Sequence, residues 1–203
     1  MHHNSLHCPA NYKMITKALQ YTCDALDQFL RNRLSLDEKK VLLNNVVDSN
    51  GSIPPANQNM LVISLINIEK ETSRPYYHIR NQKMANGNFS DINPPERYNL
   101  DILVSSSFDD YGESLKFLDT AILFFQMNIL LDPTSFSNIP DGLNKLHFDN
   151  EKITYHQMHS LWTAMGAKYQ PSVIYKMRLV TFQGDEPSGF STAISNISNQ
   201  AQA

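Results

Sequence analysis

The sequence predicts an α+β domain: a mostly antiparallel sheet packed by two long helices, with a short third helix. Three observations lead there. Residues 14–34 and 113–131 repeat apolar side chains at steps of three and four, the period of a helix with a buried face. Residues 59–69, 97–108 and 172–182 show the two-residue alternation or short apolar runs of strands. Between them lie polar stretches broken by proline and glycine, which suit neither element. A chain of 203 residues is long enough to bury a core without disulfide or metal staples.

Residues 1–13, "MHHNSLHCPANYK", read as a disordered leader. Its His2, His3, His7 and Cys8 lack the fixed geometry a metal site requires. From Met14 to Leu34 the pattern is helical, with Ile15, Ala18, Leu19, Ala25, Leu26, Phe29 and Leu30 on one face. Cys23 sits at the edge of that stripe and reads as a buried, inert thiol. "KVLLNNVVDSNGS" is a short strand running into a turn at Asn50-Gly51. In residues 59–69, Leu61, Ile63 and Leu65 point one way and Val62 and Ile66 the other. Such a strand is central, covered on both sides by its own chain or on one side by a neighbouring subunit.

Residues 70–97 are polar and interrupted by Pro75, Gly87, Pro94 and Pro95. A connection this long inside a compact domain is often functional. In the strand that follows, Tyr98, Leu100, Ile102 and Val104 share a face, with Asn99, Asp101 and Ser105 opposite.

The 113–131 helix is the most apolar. Leu115, Leu118, Ile122, Phe125 and Ile129 form one stripe, and Phe117, Phe124 and Leu131 lie roughly on the other side. One sheet cannot cover both. Either the helix is sandwiched within its own domain, or it packs on its sheet and also on a neighbouring subunit. In the second case Phe117, Phe124 and Leu131 are the candidate subunit-interface residues. Asp132-Pro133 is expected to stop the helix. Residues 142–148 read as a short strand. Thr154 to Met165 form the third helix, N-capped by Thr154 and ended by Gly166. Val173, Tyr175, Met177 and Leu179 alternate with Lys176 and Arg178 in the last strand. The domain therefore spans 14–182. Residues 183–203, rich in Ser, Asn, Gln and Ala, form a flexible C-terminal arm, either solvated or ordered against a neighbour.

Chemistry is sparse. Seventeen basic and twenty acidic residues leave a net charge of −3, with no Lys/Arg cluster for phosphates, so nucleic acid is disfavoured as a partner. The longest apolar stretch falls short of the ~20 residues of a membrane span, and the first residues lack a signal-peptide core. Synthesis in the cytoplasm is the expectation. No cofactor motif, nucleophile elbow or P-loop occurs. His147, His156 and His159 are the only set that suggests a metal-dependent hydrolase. No Glu or Asp stands in an HExxH-like frame around them, and a border histidine bonded locally is the simpler reading. The chain is expected to be no enzyme, with neither catalytic residues nor cofactor.

The segments "ITKALQYTCDALDQFL", "LVISLINIEKE", "NPPERYNLDILVSSSF", "LKFLDTAILFFQ" and "SLWTAMGAKYQPSVIYKMRLV", in that order, carry a resemblance. The last is the most telling, with Leu161-Trp162, then Pro171-Ser172, then a strand bearing Tyr175. Together they cover most of 14–182. The chain resembles the tail-terminator or cap family of phage-tail-like contractile injection systems, of the Photorhabdus virulence cassette and antifeeding-prophage type. The resemblance implies a tail-terminator-like fold and a structural role. Such subunits form a ring, expected to be a hexamer, that closes the baseplate-distal end of the inner tube and meets the last sheath layer. The implied partners are the chain itself, the tube and sheath proteins, and a paralogous cap protein. The implied final location is an injection particle, retained in the cell or released. A baseplate or tube-adaptor subunit of the same particle is the alternative.

Overall fold

The computed structural model describes residues 14–72, 82–83, 89–92, 96–132, 139–143, 145–182 and 187–191. The leader, with His2, His3, His7 and Cys8, lies outside them. Helix α1 runs Met14–Leu34, as its apolar period requires. Its end is a left-handed Ser35 (φ 52°), with Leu36 N–H donating back to the Arg31 carbonyl at 3.1 Å. Strands β1 (Val41–Leu43) and β2 (Met60–Lys70) follow, separated by a single 3-10 turn at Pro55–Asn57. Strands β3 (Gln82–Lys83) and β4 (Phe89–Ile92) lie in the long connection. Strand β5 (Glu96–Ser107), helix α2 (Tyr111–Met127), and strands β6 (Leu130–Leu131) and β7 (Leu146–Asn150) come next. Helix α3 (Tyr155–Ala164) and strands β8 (Ser172–Phe182) and β9 (Pro187–Ser191) complete the described chain.

Six strands form one sheet in the order β1-β2-β5-β8-β7-β6. Only the β1-β2 pair is parallel. The middle of the sheet is buried on both faces, and the residue pairing shows how. Leu61, Ile63, Leu100, Ile102, Val104, Tyr175 and Met177 face α1 and α2 in the main core. Leu103 and Ile174, opposite each other, point the other way, toward Trp162 of α3 and Val46. Strand β5 is thus apolar on both faces at its middle.

Three differences from the sequence reading have physical causes. Helix α2 ends at Met127 rather than at Asp132-Pro133. Asn128 ends it: its backbone N–H and its Nδ2 both donate to the Phe124 carbonyl, at 2.9 and 2.8 Å. The freed Leu130–Leu131 then pairs with β7. Second, Pro187–Ser191, within the predicted arm, is a strand antiparallel to β4 in a second sheet, ordered β3-β4-β9. The rest of that arm lies outside the described residues. Neither β4 nor β9 alternates in sequence, so only their pairing defines them. Third, the 70–97 connection supplies two strands of that second sheet.

Buried polar groups tie the helices to the sheet. Asp27, nearly inaccessible on α1, accepts the N–H groups of Lys40 at 2.8 Å and Val41 at 3.1 Å, anchoring the start of β1. Asn57 donates to the Asn45 carbonyl at 2.8 Å and accepts from Asn44 Nδ2 at 2.8 Å, closing the loop after β1. Cys23 is wholly buried in α1, and desolvation pushes its thiol up to about 12.

Two outcomes follow. Asp27→Ala leaves two enclosed N–H groups without an acceptor and should lower the unfolding free energy by about 2–3 kcal/mol in urea titration. In a Cys8→Ser background, Cys23 should resist maleimide at pH 8 until the chain unfolds. Because its folded pKa is raised, the unfolded thiol ionises first as pH rises. Its effect on stability is constant below about 9 and turns unfavourable from there toward about 12.

Candidate assembly surface

Helix α2 starts at an N-cap, Asp110, whose carboxylate accepts the Glu113 N–H at 2.8 Å. Its buried arc is Ser114, Phe117, Leu118, Ala121, Phe124 and Phe125, with Thr120 buried at one flank. At ~100° per residue these fall on one continuous side centred on Ala121. Small residues at 114 and 121 let the helix approach closely, and the aromatic rings fill the flanks. Phe125 stacks on Tyr175 with centroids 4.1 Å apart and meets Phe148 at 5.1 Å. Phe124 meets Phe29 of α1 at 5.5 Å, and Phe117 stacks on Phe108 at 4.4 Å.

This arrangement corrects the predicted interface. Phe117, Phe124 and Leu131 are 3%, 0% and 0% exposed, enclosed within the protomer. Burying a phenyl ring against the sheet and α1 removes more apolar area from water than burying Leu115 or Ile122 in its place. The apolar surface that α2 leaves outside is a shoulder beside the core arc. Tyr111, Leu115 and Ile122 form it; Met127, at the helix end, and Ile129 and Leu130 beyond it are exposed as well. Leu118 and Phe125, predicted on the Leu115 stripe, belong to the buried arc.

The outer edges of the six-stranded sheet are short: β1 has three residues and β6 two. Brief edge strands discourage pairing with stray chains. Beyond α3, the second sheet face carries a band of charges across four strands. Lys176 Nζ lies 3.0 Å from Glu69 and 3.8 Å from Asp101, and its pKa is raised chiefly by the hydrogen bond to Glu69. Arg178 bonds Asp149 and lies 3.8 Å from Glu71; the Asp149 bond raises its pKa most. These carboxylates are engaged by cations rather than poised as general bases.

Helix α3 starts with a reciprocal capping box between Thr154 and Gln157. It closes with a left-handed Gly166 (φ 67°), whose N–H reaches the Thr163 carbonyl while Ala167 N–H reaches that of Trp162. His156 and His159 are exposed on this helix. His147 stands on β7, with Nδ1 3.6 Å from Asp149. Among the described residues no three His, Cys, Asp or Glu side chains gather closely enough to hold a metal ion. No described helix is long and apolar enough to cross a membrane.

The family model for the Pvc16 N-terminal domain matches residues 21–196. The chain belongs to the Pvc16 N-terminal domain family. The matched span takes in every described strand and most of α1. Solved structures of similar fold include the PVC sheath/tube terminator of an extracellular contractile injection system in its extended state. The TM-score is 0.56 at 12% identity, over 89% of this chain and 61% of that one. The anti-feeding prophage cap, described as the AFP tube-terminating cap, is similar at TM-score 0.54 and 12% identity, over 86% of this chain and 58% of that one. The Pvc16-family chain thus spans about three fifths of the length of each terminator. The α+β fold read from the sequence is the fold they share. Curated proteins give no match to the chain.

The placement of α2 is testable by stability alone. Phe124→Ala should cost about 3–5 kcal/mol in chemical unfolding. Ile122→Ala, on the exposed shoulder, should cost about 1 kcal/mol or less.

Proposed function

We propose that this chain is a structural cap subunit, the terminator that closes the baseplate-distal end of the inner tube and sheath of a contractile injection system. The observation that carries the reading is the fold shared with two such terminators over 86–89% of the chain, within the Pvc16 N-terminal domain family. Its partners are the last tube and sheath layers and further copies of itself in a ring, which the resemblance puts at six. The chain ends its working life in the injection particle rather than as a free protein, and it performs no catalysis.

The physical features fit this role. A closed ring joins unlike surfaces head to tail, so each protomer needs two complementary patches. The α2 shoulder, Tyr111, Leu115 and Ile122, supplies one of them. It replaces Phe117, Phe124 and Leu131, which the protomer uses for itself. A double-faced sheet gives the ring a stiff wall, because neither sheet face can rotate away from its covering helix without exposing core.

Electron microscopy of particles made without this protein tests the reading. A cap predicts particles with tubes of uncontrolled length. Absence of particles favours a baseplate or adaptor subunit, and particles of normal length contradict a terminating role. Leu115→Gln with Ile122→Gln should reduce ring formation by light scattering or in assembled particles, while leaving the fold intact by circular dichroism.

A further inference from the structure

We propose that the charged band on the second face of the sheet, beyond α3, docks a lysine- and arginine-bearing segment of a partner protein. Five carboxylates gather there: Glu69, Glu71, Asp101, Asp149 and Glu151. Two cations lie among them, and each is shared. Lys176 bonds Glu69 at 3.0 Å and stands 3.8 Å from Asp101; Arg178 bonds Asp149 and stands 3.8 Å from Glu71. Glu151 acts on both cations, adding to the rise in their pKa. Strand alternation puts Arg97 on the same side as Asn99 and Asp101. Five carboxylates against three cations leave an excess of two negative charges. His147 borders the band, with Nδ1 3.6 Å from Asp149, and the excess holds while it is neutral. The band is reachable, because the side chains of Glu69 and Asp149 are 48% and 39% exposed. A surface of this sign complements a cationic segment.

A second observation is independent of that charge. Asn99 is 6% exposed, and its Oδ1 has no hydrogen-bond partner. Turning the amide does not cure this. Nδ2 donates to Glu71 at 3.0 Å, and a flip would set oxygen against that carboxylate. Asp101, 8% exposed, is in the same state. Its Oδ2 accepts from Asn67 Nδ2 at 3.0 Å, while Oδ1 has only the Lys176 ammonium at 3.8 Å, beyond hydrogen-bond reach. Both orphan atoms are acceptors, two positions apart on the same side of β5.

Buried acceptors without a partner call for a donor. Among the described residues no three His, Cys, Asp or Glu side chains are close enough to hold a metal ion there. The donor that fits is an N–H at the end of a long side chain, slim enough to pass between the carboxylates at the rim. Ammonium and guanidinium groups have that form and carry only donors. The assignment stands on the band alone and does not need the capping role.

The probe is a blocked hexapeptide, KRGGRK, titrated by calorimetry into the full-length protein at pH 8 and low salt, with EDGGDE as the control. The expected result is saturable binding of KRGGRK that weakens as salt is added, with EDGGDE at least about tenfold weaker. Glu69→Gln with Asp149→Asn keeps an oxygen for Lys176 and Arg178 to bond but removes two charges; it should lower affinity by about tenfold. Asp37→Asn with Glu38→Gln removes the same charge from exposed positions between α1 and β1, and should leave affinity within about twofold. An unchanged thermal melt confirms that both variants are folded. Carbodiimide coupling of the bound peptide, mapped by mass spectrometry, should join its lysines to Glu69, Asp149 or Glu151. No saturable binding overturns the proposal, since water alone then serves the orphan acceptors. Equal loss in the two variants, full retention by the first, or coupling concentrated elsewhere also overturns it. So does self-association that blocks the peptide, because a second copy is then the occupant.

Discussion

Strand β5 has no free face, and the rest of the molecule follows from that. Ile102, Leu103 and Val104 are consecutive, point alternately to opposite sides, and are all fully buried. A strand so made must sit mid-sheet, with cover above and below. Its neighbours β2 and β8 continue both apolar faces, so one helical layer cannot suffice. Helices α1 and α2 cover one side with the main core; α3 covers part of the other. Where α3 stops, charges take over. Asp101 still faces that side, and it is accommodated by Asn67 Nδ2 at 3.0 Å and by Lys176. The polar band lets the sheet continue without a further helix.

The same constraint decides what is left over for function. Packing α2 on the sheet and on α1 uses its aromatic arc, because those rings bring the most apolar area into a space only one helix wide. The residues that remain, Leu115 and Ile122 seven positions apart with Tyr111 before them, lie at the border of the arc rather than opposite to it. They form a ridge continuous with the core. A partner seated on that ridge extends an existing apolar layer instead of building a new one. The capping role proposed above would call for surfaces of this sort, and for stiff geometry and area.

Much of this was legible in the sequence. The α1 end, the Thr154 cap and the Gly166 stop are local signals realised by contacts within a few residues, and the alternation of β8 is a local pattern that its pairing with β5 and β7 then uses. The order of segments sufficed for the terminator-like fold. What failed to show was long-range or quantitative. The phase of α2 was split into two stripes because Ser114 and Ala121, which mark the centre of the buried arc, are small and carry no hydrophobic signal of their own. Strands β4 and β9 each lack alternation and are defined only by pairing between the long connection and the final segment. Strand β6 reads as more helix until Asn128 intervenes.

The central claim is that the protomer spends its aromatic residues on its own core and presents the α2 ridge to others. Hydroxyl-radical footprinting read by mass spectrometry, on the isolated protein and on assembled particles, addresses it directly. The account predicts that Leu115, Ile122 and Met127 are modified in the isolated protein and that Leu115 and Ile122 become protected on assembly, while Phe117 and Phe124 stay protected in both. Modification of Phe124 in the isolated protein, or equal modification of Leu115 and Ile122 in both states, would contradict it.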